Sequence, residues 1–296
     1  MTITAKVNTR TERLLNGLED AIDLMQKISD SSDNEIFVDF SRSQFVSPLF
    51  VLPFMVYAVG CGKKVEFLHK TDYMEIIAMG TGMRPDDMRS SEFKALMEAY
   101  THKTYIPVIN FPATRNRDDE KNAILSSVES IIIRQSGITP NVAAGLKYMI
   151  EESVDNIIEH SQSERGYIFT QAYPKKRYID ICIADMGITL LGSYKTLPDN
   201  EIESDIEAIQ AANRGISTKN LPEAENRGYG IITSKKMLVD GLKGSYIMIS
   251  GNAMHIKNPD IHQFLHLPDA IRWNGTIIAF RIPYTNNAFQ YVNYIE

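Results

Sequence analysis

The chain has 296 residues, 44% hydrophobic and 23% charged, with a formal net charge of −6. That length predicts two domains, and the hydrophobic content suffices for packed cores. The acidic balance supplies no field to draw in nucleic acid or an anionic membrane surface, and no stretch reaches the ~18 consecutive apolar residues of a membrane span.

In chain order, residues 10–29 carry helical spacing through Leu14, Leu18, Ile22, Met25 and Ile28, and EIFVDF at 35–40 reads as a short buried strand. The most apolar stretch, VSPLFVLPFMVYAVG at 46–60, is too short to span a membrane and predicts a buried helix over about 48–60. KVEFLH at 64–69 is a second strand, and a further helix begins at 73–80. Strands separated by helices predict parallel pairing in an α/β layer. FPATRNRDDE at 111–120 is polar and breaks the pattern, so the domain boundary is placed at 112/113.

Beyond it come helices at about 118–135 and 140–161, then strands 167–173 and 177–185 joined by a tight PKK turn. A long polar segment, about 191–227, holds a helix near 202–212. A Gly-rich turn, a helix to about 240 and strands at 245–250 and 276–283 complete an α+β region, with helices on one face of a mixed, largely antiparallel sheet. His255, His262 and His266 resemble metal-ligand spacing only loosely and are expected as ordinary histidines in a loop. Cys61 and Cys182 lie far apart in apolar stretches, which suits reduced thiols in a cytoplasmic protein, and MTITAKVNTRTERLL lacks the order of a signal peptide.

Four local patterns bear on chemistry. On the helix EESVDNIIEH, Glu152, Asn156 and His160 follow one margin of an apolar stripe, where a polar group is held rigidly yet can face a cleft. ADMGIT places Asp185 and Gly187 where the chain leaves a strand, an arrangement also common in plain turns. NRGYGIITSKKML sets Gly228 and Gly230 before a helix, where backbone N–H groups can face an anion. NGTIIAFRIP brings Thr276 to the mouth of the last strand.

In this order, over roughly residues 120–285, the patterns resemble the GHKL ATPase superfamily, whose Bergerat ATP-binding fold is a two-layer α/β sandwich. The resemblance implies ATP and Mg²⁺ as ligands. Asn156 would give its side-chain oxygen to magnesium, and Glu152 would stand where hydrolysing members keep a water-activating carboxylate. Asp185 would accept the adenine amino hydrogen, Gly187 would leave room for the base, and Thr276 would support that end of the pocket. Gly228 and Gly230 would open the phosphate-binding helix. Residues 191–227 would be the mobile lid, whose GISTKN segment offers Ser217, Thr218 and Lys219 to phosphate. Thr189 departs from the family pattern, which has glycine there.

Residues 1–105 resemble a STAS domain in element order. Ser47 and Pro48 stand where regulatory members carry Asp and a phosphorylatable Ser, so Ser47 reads more readily as a helix cap. The expectation is therefore a STAS-like interaction domain over 1–112 and an ATP-binding domain over 113–296. Together they would make a regulatory protein resembling anti-sigma-factor kinases, with a protein target as partner and homodimerisation left open. A non-catalytic nucleotide-gated module is the alternative, with a stand-alone ATPase ranked last. Neither nucleic acid nor membrane is an expected partner.

Overall fold

The computed structural model describes residues 1–7, 14–114, 118–216, 232, 235–268 and 271–284. Ten strands and eight helices are described. The N-terminal part comprises β1 (Thr2–Thr4), α1 (Asn16–Asp30), β2 (Glu35–Asp39), α2 (Pro48–Gly60), β3 (Lys64–Leu68), α3 (Asp72–Ile76), α4 (Ser90–Tyr100) and β4 (Tyr105–Pro112). Then follow α5 (Asp118–Ser136), α6 (Pro140–His160), β5 (Arg165–Tyr173), β6 (Tyr178–Asp185), α7 (Leu190–Tyr194) and α8 (Asp205–Asn213). A π-helical turn (Met237–Gly241) precedes β7 (Ser245–Gly251), β8 (Ala253–Lys257), β9 (His262–His266) and β10 (Trp273–Pro283).

The strands form two sheets. β1, β2 and β3 pair in parallel, with α2 as the crossover between β2 and β3. The larger sheet has the order β4-β5-β6-β10-β7-β8-β9. Each of its pairings is antiparallel, where the sequence suggests a mixed sheet. β4 precedes the boundary expected at 112/113, yet it is an edge strand of this larger sheet.

The larger sheet is covered on both faces, not on one. Along β6, Ile179, Ile181 and Ile183 face a core shared with α5 and α6, while Cys182 and Ala184 face a core shared with α1 and α2. Period-two alternation between two apolar layers is why YIDICIAD is buried at all eight positions. α2 packs against β3 and α1 on one side and β5, β6 and β10 on the other. A helix enclosed in this way must be apolar all round, which accounts for Leu49 to Val56 being fully buried with Pro53 among them. Pro48 occupies the first turn, and Ser47 precedes it with extended backbone, making no side-chain cap hydrogen bond. A Cβ on Gly17 of α1 would come within 2.2 Å of Ser47 Oγ, so α1 closes tightly over that hydroxyl.

The stretch 253–266, expected as a loop, is the hairpin β8–β9. Its strands are short and its outer one largely exposed, so sequence alternation there is weak. Within the expected lid, α7 and α8 pack on each other through Leu191, Tyr194, Ala208 and Ala211. Arg272 holds Asp205 at 2.6 Å, fastening α8 to the sheet. The first part of that segment is thus a packed subdomain, while residues 217–227 lie outside the described residues. No described helix is long and apolar enough to cross a membrane.

Candidate functional site

Asp185 is the last residue of β6 and only 1% exposed. Its Oδ1 accepts the Gly187 N–H at 2.8 Å and its Oδ2 the Thr276 N–H at 3.1 Å. The second contact follows from register: β10 runs antiparallel beside β6 with Ile277 opposite Ala184, which brings Thr276 level with Asp185. Trp273 Nε1 donates to the Asp185 carbonyl at 3.0 Å. The neighbouring row is closed by Ser250 on β7, whose hydroxyl donates to Gly275 O at 2.8 Å and accepts the Leu190 N–H at 2.9 Å.

Two glycines let these segments meet. A Cβ on Gly187 would lie 1.9 Å from the Ser161 carbonyl oxygen, and Ile188 N–H donates to that same oxygen at 2.6 Å. A Cβ on Gly275 would lie 2.4 Å from the Asp185 carbonyl oxygen. The end of α6, the turn after β6 and the start of β10 are therefore in backbone contact at Asp185. Thr189 has a structural role: its hydroxyl accepts the Gly192 N–H at 3.0 Å and caps α7. That cap is a physical reason for threonine at this position.

Burial pushes the Asp185 carboxyl up to about 7, and the N–H groups of Gly187 and Thr276 oppose the shift. A folded-state value above the unfolded one means that the native protein binds more protons between about pH 4 and 7, so Asp185 subtracts stability as pH rises through that window. Asp185→Asn cannot ionise, so its stability relative to the parent should grow from pH 4 to 7 and then level off. Urea unfolding of both proteins across that range checks this; a difference constant with pH contradicts it.

Glu152, Asn156 and His160 lie on α6 at half-buried positions. Asn156 stands five residues before Ser161, about 7.5 Å of helix rise from the contact with Gly187. Glu152 hydrogen bonds Tyr148, and His160 lies 3.8 Å from Glu159. Tyr148 is raised by burial and by the Glu152 charge. The structure thus joins Asp185, Gly187 and Thr276 directly to the C-terminal end of the helix that carries Glu152 and Asn156. Gly228, Gly230, Ser217, Thr218 and Lys219 lie outside the described residues. Among the described residues no cluster of three His, Cys, Asp or Glu is placed to hold a metal.

Ser161, Ser250 and Trp273 escape sequence reading because their parts depend on contacts between distant segments. The one usable signal is that Trp273 is the chain's single tryptophan, two residues from the Gly-Thr pair. Met186, between Asp185 and Gly187, packs against the end of α2, where a Cβ on Gly60 would meet its Cε at 2.4 Å. No family model matches the chain, and neither a curated protein nor a solved structure matches it.

Proposed function

We propose that the chain is an ATP-binding regulatory protein of GHKL type, in which Asp185 reads adenine. The observation that carries this reading is the Asp185 carboxylate, buried at a strand end and fixed by the N–H groups of Gly187 and Thr276. Each carboxylate oxygen has a second lone pair, so Asp185 can still accept an exocyclic amino hydrogen. The chemistry of this acceptor suits adenine, while glycine at 187 and 275 serves the close backbone packing around Asp185 and does not clear space for the base. Asn156 is an oxygen donor of the kind magnesium takes alongside phosphates and water. Bound Mg²⁺ would supply charge neutralisation on the phosphates, and Glu152, one turn before Asn156, would hold a proton from a nucleophile.

On this reading, the three-stranded sheet β1–β3 with its helices acts as a STAS-like protein-interaction layer, with a regulatory protein as target. Met186 supplies a physical link, since it touches α2 while its two neighbours shape the adenine end of the site. The second reading is a nucleotide-gated switch without phosphoryl transfer. The capped, packed subdomain at 189–216 favours it, because a lid with its own core resists the rearrangement turnover demands.

Incubation with Mg²⁺ and γ-labelled ATP, alone and with a cell lysate, separates the readings. Label on a protein supports the kinase, and nucleotide binding without label transfer or free phosphate supports the switch. Absence of nucleotide binding overturns both.

A further inference from the structure

The far edge of the larger sheet holds a cationic cluster with no part in the nucleotide reading. Tyr246, Lys257 and His262 lie side by side across β7, β8 and β9, and Met248, His255 and Phe264 form the row two residues away. Side chains two apart share a sheet face, so these groups all point to the side covered by α8 and the π-helical turn. Ala253 on β8 is level with Ser250, and Ser250 with Thr276. His255 and Lys257 therefore lie about 7 and 13 Å further along the strand, and three strands across from Asp185.

His255 is fully buried and stacked on Phe264, with ring centroids 4.3 Å apart. Its ring lies 5.2 Å from that of His262 and 5.6 Å from that of Tyr246. Among the described residues neither ring nitrogen of His255 has a hydrogen-bond partner, and neither has the buried Tyr246 hydroxyl. Lys235 is 7% exposed and donates to Asn213 Oδ1 at 2.6 Å, with no carboxylate in ion-pair range among the described residues. Lys257 meets Asp240 at 3.6 Å. Burial, then the charge of Lys257, pushes the Lys235 ammonium down to about 8, and burial, then Lys235, pushes His255 down to about 3.

Unpaired buried polar groups cost stability, and so does a buried ammonium with no carboxylate partner among the described residues. A metal ion between His255 and His262 would meet the repulsion of both lysines. An anion reverses that sign: it takes charge-assisted hydrogen bonds from the lysines and neutral donors from imidazole and phenol. The half-exposed Lys257 and exposed His262 leave the cluster a solvent side. We propose that Lys235, Lys257, His255, His262 and Tyr246 form a binding site for a phosphate group, either inorganic phosphate or the head of a phosphomonoester.

The test is thermal unfolding of the full chain without magnesium, titrated with sodium phosphate, with methyl phosphate, and with sodium chloride at matched ionic strength. A site of this kind gives a saturable rise in Tm with phosphate or the monoester and none with chloride. The ester giving the tighter saturation assigns the site to a phosphomonoester, and phosphate giving it assigns the site to the inorganic ion. Lys235→Gln and Lys257→Gln should each weaken the response about tenfold or more. The response should persist in Asp185→Ala, so loss of nucleotide binding there leaves this site standing. The His255 proton resonance supplies a second readout, since a bound anion raises its titration midpoint and a trapped water does not. The proposal is overturned by the absence of a saturable phosphate effect or by an effect unchanged in both lysine variants. It also fails if the His255 midpoint is indifferent to phosphate.

Discussion

Replacing Arg281 by Met should destabilise the protein by about 3–5 kcal/mol, the usual cost of removing one partner of a buried ion pair. Arg281 Nε donates to Asp180 Oδ1 at 2.7 Å and its second nitrogen donates to Oδ2 at 2.8 Å. The guanidinium also lies 3.9 Å over the Tyr178 ring, and Asp180 is 1% exposed. Burial raises the Asp180 carboxyl, and Arg281, by hydrogen bond and charge, opposes it. Without Arg281 the carboxylate must stay charged in an apolar layer or take up a proton. The loss should therefore shrink toward low pH, and Asp180→Leu with Arg281→Met should recover most of it. Urea denaturation of the two variants decides the matter; a loss below about 1 kcal/mol for Arg281→Met would contradict a pair of this strength.

Asp185→Ala should have two separable effects. In the protein alone, the N–H groups of Gly187 and Thr276 lose their acceptor, costing about 1–3 kcal/mol each if they stay dry. In the complex, the adenine amino group also loses its acceptor. A further 1–3 kcal/mol corresponds to roughly tenfold to a hundredfold weaker ATP binding. Binding must be measured under conditions where the variant is shown to be folded, so that the two effects are read apart. A variant that is destabilised yet binds ATP as the parent does would make Asp185 a structural strand terminator and nothing more.

How much of this was legible in the sequence depends on what sets each element. α6 and the β5–β6 pair are long and strongly patterned, so period placed a helix at about 140–161 and strands at 167–173 and 177–185, within two residues of the observed 140–160, 165–173 and 178–185. The absence of polar residues from 48–60 correctly marked α2 as buried, but nothing local says that it separates two sheets. That is a tertiary fact, and it accounts for the second covered face of the larger sheet. The strands of the β8–β9 hairpin are short, and the polar His262, Gln263 and His266 hide the alternation of β9. At the candidate site Asp185, Gly187 and Thr276 each read locally as a strand end with turn chemistry, and only the family resemblance grouped them. Ser161, Ser250 and Trp273 complete that site through contacts between segments distant in the chain, 60 residues apart for Ser250 and Leu190 and 88 for Trp273 and Asp185. Thr189, which looked like a departure, proves to be a helix cap.

The most direct test of the central claim is calorimetric titration of the full chain, in Mg²⁺ and well above the Asp185 value of about 7 so that the carboxyl is ionised, with ATP and separately with GTP. Guanine presents a carbonyl where adenine has its amino group, so two acceptors would face each other at the buried Asp185 carboxylate. The account predicts saturable ATP binding, tighter than GTP by about tenfold to a hundredfold, in line with an unmet hydrogen bond of roughly 1–3 kcal/mol. Equal affinities for the two nucleotides, or no binding heat from either, would contradict it.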